Sequence, residues 1–196
     1  MIYSHRIMSA KQNIKTYRDL LSKGLDGLEG DSQWPKICDL LVDARAKGSG
    51  IFMAGNGGSA ANANHLATDL IYGVNAKGQG TLRVHSLASN PSVMTCLGND
   101  TGYENIFANQ LEALAQPKDL LLVFSGSGNS PNILKLLEVA RRLKVTTISF
   151  LGFDGGKAKP LSDHPLHFPI HDMQVVEDLH MIAGHLLMKS LLDKSS

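Results

Sequence analysis

Two short apolar runs in this chain each end in a loop of glycine and small polar residues. The first is Gly48-Ser-Gly-Ile-Phe-Met-Ala-Gly55, leading into Gly55-Asn-Gly-Gly-Ser59; the second covers residues 119–124 and leads into Ser125-Gly-Ser-Gly-Asn-Ser130. A run this short and this uniformly apolar, bounded by glycine, predicts a parallel strand buried on both faces. Residues 81–87, 145–151 and 165–170 supply three further strand candidates. Helical periodicity fills the intervals, at 59–71, 104–115 and 133–143, with a short helical stretch through Cys96 and Leu97 before a loop at 98–103 and a long closing helix at 175–193. Strands alternating with helices at this spacing predict an α/β fold, a doubly wound parallel sheet of five strands with right-handed crossovers.

Upstream of the first strand, apolar residues recur at three and four, as in Ile14, Tyr17, Leu20 and Leu21, then Ile37, Leu40, Leu41 and Ala44. They predict two helices with a break at residues 27–35. The expected organisation is an N-terminal helical extension over 1–47 and one α/β domain over 48–196. With 196 residues and 43% hydrophobic content, one sizeable core is expected. The near balance of 19 Lys+Arg against 18 Asp+Glu argues against a nucleic-acid or anionic-membrane footprint over the whole surface. Cys38 and Cys96 read as core thiols in a reducing compartment rather than a disulfide framework. With no signal-peptide pattern in the first residues and no run of membrane-spanning length, the expected location is cytoplasmic.

The two loops at strand ends predict the binding site. Glycines let the backbone approach an anion, helix N-terminal amides favour negative charge, and Ser125, Ser127 and Ser130 add hydroxyl donors. Neither loop contains the lysine of a nucleoside triphosphate loop, and Gly55-Asn-Gly-Gly-Ser59 lacks the third glycine of a dinucleotide fingerprint. A monophosphate held by hydroxyls and amides fits better. One such loop alone would be equally well explained as a tight strand-to-helix turn; two in one sheet are harder to explain that way.

Titratable side chains cluster on two helices. His65 and Asp69 stand four apart, and His180 and His185 follow Glu177 by three and eight, spacings that keep each set near one helix face. Two imidazoles with carboxylates suit zinc with an open position, and equally suit acid–base chemistry. Each residue alone has a plainer reading: a lone helical Asp is a solvated charge, and His180 in an apolar helix is a packing residue. His5, His85, His164, His167 and His171 have no motif around them and read as structural or surface residues.

Three strings in order, Gly55-Asn-Gly-Gly-Ser-Ala-Ala61, Gly98-Asn-Asp-Thr-Gly-Tyr103 and Phe124-Ser-Gly-Ser-Gly-Asn-Ser130, resemble the sugar isomerase (SIS) domain family, and within it the phosphoheptose isomerase group. The resemblance covers nearly the whole chain. It implies a flavodoxin-like SIS domain and a homotetramer with active sites between subunits and the N-terminal helices, 1–47, in the subunit contacts. It also implies aldose–ketose isomerisation of sedoheptulose 7-phosphate to D-glycero-D-manno-heptose 7-phosphate, a step of heptose biosynthesis. Asn56, Gly57, Gly58, Ser59, Asn99, Asp100 and Glu177 would bind the sugar; Ser125, Gly126, Ser127 and Ser130 would hold its phosphate. His65, Asp69, Glu177 and His185 would hold zinc, with Asp69 as base and His185 as its acid–base partner.

The chain departs from the family pattern at several of these positions. Gly126 replaces a usual threonine, Asp69 a glutamate and Glu177 a glutamine, while Asn62 and Gln174 replace carboxylates. Asp69 is shorter than glutamate by a methylene, roughly 1.5 Å, a displacement of the size that costs about a hundredfold when reacting groups are misplaced. The chain also resembles SIS members that do not catalyse and instead bind a sugar phosphate or associate with the replication initiator, and the altered carboxylates suit that alternative.

Overall fold

The computed structural model describes residues 9–73 and 82–193. The expected strand start at Thr81 and the side chain of His5 lie outside them. Two helices lead, α1 (Ala10–Glu29) and α2 (Gln33–Lys47), followed by β1 (Gly50–Gly55), α3 (Gly58–Thr68), β2 (Arg83–Ser86), α4 (Pro91–Thr101), α5 (Ala108–Leu114), β3 (Leu120–Ser125), α6 (Pro131–Leu143), β4 (Thr146–Leu151), β5 (His164–His167) and α7 (Met173–Asp193). The five strands are all parallel, in the order β2-β1-β3-β4-β5.

Side chains alternate across the central strands and so build a core on each face. Ile51, Met53, Leu120, Leu122 and Phe124 pack with α2, α3 and α7 on one side, and Phe52, Ala54, Leu121 and Val123 pack with α5 and α6 on the other. Ile37 and Leu41 of α2 are fully buried in the first of these cores. Most of α1 lies outside it, and Tyr17 on α1 donates to Asp178 Oδ2 on α7 (2.6 Å). Buried Asp119 joins β1 to β3, accepting from the Gly50 amide (2.6 Å) and the Gln116 amide (2.8 Å).

Several boundaries differ from the sequence reading. The break between the first helices is shorter than 27–35: α1 runs through Gly27 to Glu29, and Pro35 sits in the first turn of α2, where its missing N–H has no helical partner to lose. Ser59 does not cap α3. Gly57 holds that position with φ 55° and ψ −123°, a conformation only glycine adopts comfortably, and Ser59 is buried in the first turn. Residues 98–101 are the last turn of α4 rather than loop, because the Asn90 side chain caps the helix start and Gly98 packs against Ile106. Cys38 is buried as expected, but Cys96 is exposed on α4; the neighbouring Asp100 carboxylate, its hydrogen-bond partner at 3.6 Å, raises the thiol pKa. No helix among the described residues is long and apolar enough to cross a membrane.

Candidate active site

β1 and β3 are neighbours at the point where strand order reverses, and both loops open from their carboxyl ends. Between them lies a cleft of about 240 Å³ lined by Asn56, Gly57, Gly58, Ser59, Phe124, Ser125, Gly126, Ser127, Ser130, Met173 and Glu177. Among the described residues the lining carries no lysine, arginine or histidine. The ionisable group it does carry, Glu177, lies so close to α3 that a Cβ on Gly58 would overlap its carboxylate. Burial, followed by the nearby Asp178, raises the Glu177 pKa.

The serine loop is held rigidly and its hydroxyls keep protons to give. Ser125 Oγ accepts from the Gly128 amide (3.1 Å) and Ser127 Oγ from the Asn129 amide (3.2 Å), so each O–H remains free to donate to a ligand. Ser130 precedes α6 without using its side chain as a cap. Behind the loop, the segment after β4 braces it: the Gly152 amide donates to Gly126 O (3.0 Å), the Ala158 amide to Gly128 O (2.9 Å) and the Lys157 amide to Asn129 Oδ1 (3.1 Å). The first residues of α3, whose amides no helical turn can satisfy, line the same cleft.

Asn56 is held by partners that sequence reasoning missed. Its amide exchanges two hydrogen bonds with buried Asn132 (2.9 and 2.8 Å), and Tyr103 donates to Asn56 Oδ1 (3.1 Å). This clamp ties the first loop to α6, a link between residues 76 apart that no local pattern signals.

α3 and α7 run side by side in the same direction, with Gly58 beside Glu177 at one end and His65 beside His185 further along. Asn62 Nδ2 bonds the Glu177 carbonyl (2.8 Å) between these points. At the far end His65 Nε2 and His185 Nε2 are 3.2 Å apart, and Asp69 Oδ2 lies 3.4 Å from each. Two imidazole nitrogens this close must share a proton or a cation. Zinc-like tetrahedral ions hold their ligands at about 2.0–2.1 Å, which sets ligand atoms roughly 3.3–3.4 Å apart, so the triangle fits such an ion with one side open. The shorter Asp69 therefore reaches both imidazoles. It does so at the point where α3 widens into a π-helical turn, Asp69–Gly73.

Not every expected residue joins this arrangement. Glu177 belongs to the cleft, outside the His65, Asp69 and His185 group. Asn99 and Asp100 bond one another at the end of α4 (2.7 Å) and do not line the cleft. His180 is fully buried among the rings of Phe124, Phe150 and Phe168, with neither ring nitrogen hydrogen-bonded. Burial pushes its pKa down to about 3, the nearby Leu151 carbonyl offsetting only part of that. The remaining described histidines have structural partners: His85 stacks on Phe52, His164 meets Gln33, His167 the Phe153 carbonyl, and His171 Asp154.

Comparison with known proteins matches residues 16–152 to the SIS domain. The chain is 38% identical over 179 residues to phosphoheptose isomerase from Helicobacter pylori strain 26695, covering 90% of this chain and 91% of that one. It is 41% identical over 152 residues to the protein of that name from Trichlorobacter lovleyi, covering 78% and 77%. Among solved structures, phosphoheptose isomerase from Neisseria gonorrhoeae superposes with a TM-score of 0.85 at 23% identity, over 95% of this chain and all of that one, a likeness of fold. The chain belongs to the SIS domain family.

Proposed function

We propose that this SIS family member is a phosphoheptose isomerase, interconverting sedoheptulose 7-phosphate and D-glycero-D-manno-heptose 7-phosphate. The observation that carries the reading is the placement of a hydroxyl-and-amide cleft and a His/Asp/His triangle along one pair of parallel helices. Seven residues of α3 separate Gly58 from His65, about 10 Å at 1.5 Å per residue. Six C–C bonds of about 1.5 Å carry C1 of an extended seven-carbon chain roughly 8–10 Å from its 7-phosphate. A phosphate seated on Ser125, Ser127 and Ser130 thus sets C1 and C2 near the triangle. The relatives that share 38% and 41% identity bear the same activity in their names.

In this reading Asp69 takes the proton from C1 of the ketose while a proton reaches O2, giving the enediol; loss of the O1 proton and protonation of C2 then yield the aldose. His185 serves the two oxygens, and His65 holds Asp69 and His185 in register. His65, Asp69 and His185, whose donor spacing suits zinc, would hold that ion, which when bound would polarise the sugar oxygens. Glu177 and the first loop position the sugar.

A homotetramer in the cytoplasm, with sites completed between subunits, accords with the surface: Ile14 (68% exposed), Ile71 and Tyr72 (75%) carry apolar area outward, and α4 buries none of its residues. Contacts through α1 and α4 would bring Asn99 and Asp100 toward a neighbouring cleft. A non-catalytic sugar-phosphate binder, or a partner of the replication initiator, would have no use for three donor atoms held within 3.4 Å of one another. Purified protein is incubated with sedoheptulose 7-phosphate after chelation and after zinc is restored. Aldose product only with zinc is expected, lost in Asp69→Asn and His185→Ala. Absence of product from the zinc-loaded wild type refutes the assignment.

A further inference from the structure

We propose that Met173 is a specificity-determining residue of the phosphate cleft, and that Gly126 is glycine so that the Met173 thioether can lie in the cleft. The inference rests on the phosphate reading of the serine loop. Gly126 is buried, and a Cβ added there would overlap Met173 Sδ and lie 3.1 Å from Met173 Cε and 3.8 Å from Phe153 Cε2. The loop cannot yield, because the Gly126 carbonyl is fixed by the Gly152 amide and the next turns are bonded to residues 157 and 158. The thioether can, since it is the far end of a flexible side chain, 36% exposed, at the first position of α7. Any side chain at 126 therefore pushes Met173 out of the cleft.

The consequence is chemical. Among the described residues this cleft offers a phosphate neutral donors, with no lysine or arginine in its lining. Hydrogen bonds from hydroxyls and amides strengthen as water is excluded and the local dielectric falls. Met173 and Phe124 supply the apolar wall that does this, taking the volume a hydroxyl-bearing side chain at 126 would otherwise fill. The ligand class is a terminal phosphate monoester small enough to sit under the thioether.

The test is a double-mutant cycle read by calorimetric binding of inorganic phosphate and, separately, of sedoheptulose 7-phosphate. Met173→Ala and Gly126→Ala each remove the thioether from the cleft, so each weakens phosphate binding about tenfold, and the double variant is also weakened about tenfold rather than a hundredfold. Met173→Leu, which keeps an apolar side chain of similar size, retains wild-type affinity and keeps the test open should Gly126→Ala fold poorly. Additive losses in the double variant, an unchanged Met173→Ala, or no phosphate binding by the wild type overturns the proposal. Coupled losses for inorganic phosphate without turnover of the sugar phosphate would leave it standing and overturn the proposed function; turnover with additive losses does the reverse.

Discussion

His180→Leu separates the cost of burying an imidazole from everything else that acid does to this fold. The ring is fully buried, its nitrogens are unpartnered, and its pKa falls to about 3 from an ordinary 6.5. A group whose folded pKa is depressed contributes stability that is complete above the unfolded value and is lost as pH falls. Between pH 6.5 and about 3 the unfolded chain binds a proton that the native state refuses, at about 1.4 kcal/mol per pH unit. Carried through the whole window, the loss is on the order of 5 kcal/mol. Between pH 7.5 and 5.0 it is about 2 kcal/mol. Urea unfolding of wild type and variant at those two pH values, at one protein concentration, reads it directly. The variant is expected to lose about 2 kcal/mol less than the wild type over the interval. At pH 7.5 it should match or exceed wild-type stability, since leucine leaves no polar atom unsatisfied. Parallel losses in the two proteins, or a His180 resonance titrating near 6.5 in the folded state, would refute the reasoning.

Two further outcomes follow from the cleft. Glu177→Gln removes a negative charge from the lining while keeping the shape, so KM for the sugar phosphate should fall by up to about tenfold near neutral pH. Because burial raises the Glu177 pKa, the wild type's KM should approach the variant's as pH falls and the carboxyl takes up its proton; steady-state kinetics from pH 8 to 5.5 tests this. Asn132→Leu breaks the reciprocal amide pair with Asn56 and should cost about 1–3 kcal/mol of stability in denaturant unfolding, with KM rising as the first loop loosens.

Much of this was readable in the chain itself. β1 and β3 were legible because Ile51, Phe52 and Met53, and Leu120, Leu121 and Leu122, are apolar on both faces and stop at glycine or serine. His65 and Asp69 were legible as a pair because a helix fixes their spacing. What helix periodicity could not give was the packing of α3 against α7, which brings His185 to 3.2 Å from His65 across 120 residues while leaving Glu177 in the cleft. The last turn of α4 was misread as loop because Gly98, Asn99 and Asp100 have turn-like composition; a capped start and packing against Ile106 outweigh that propensity. Asp69 looked too short only while its reach was judged from a methylene count. Met173 carried no signal at all, since its role depends on the empty space beside Gly126.

That no lysine or arginine among the described residues lines the cleft also bears on how the protein behaves in a crowded solution of anions. A site that attracts phosphate by charge draws nucleotides and polyphosphates from a distance and is weakened by salt. With the phosphate seated as proposed, the grip is short-ranged, acting on a group that fits between Ser125, Ser130 and the first turn of α3. On that reading the selection is made by fit, and ionic strength has little hold on it.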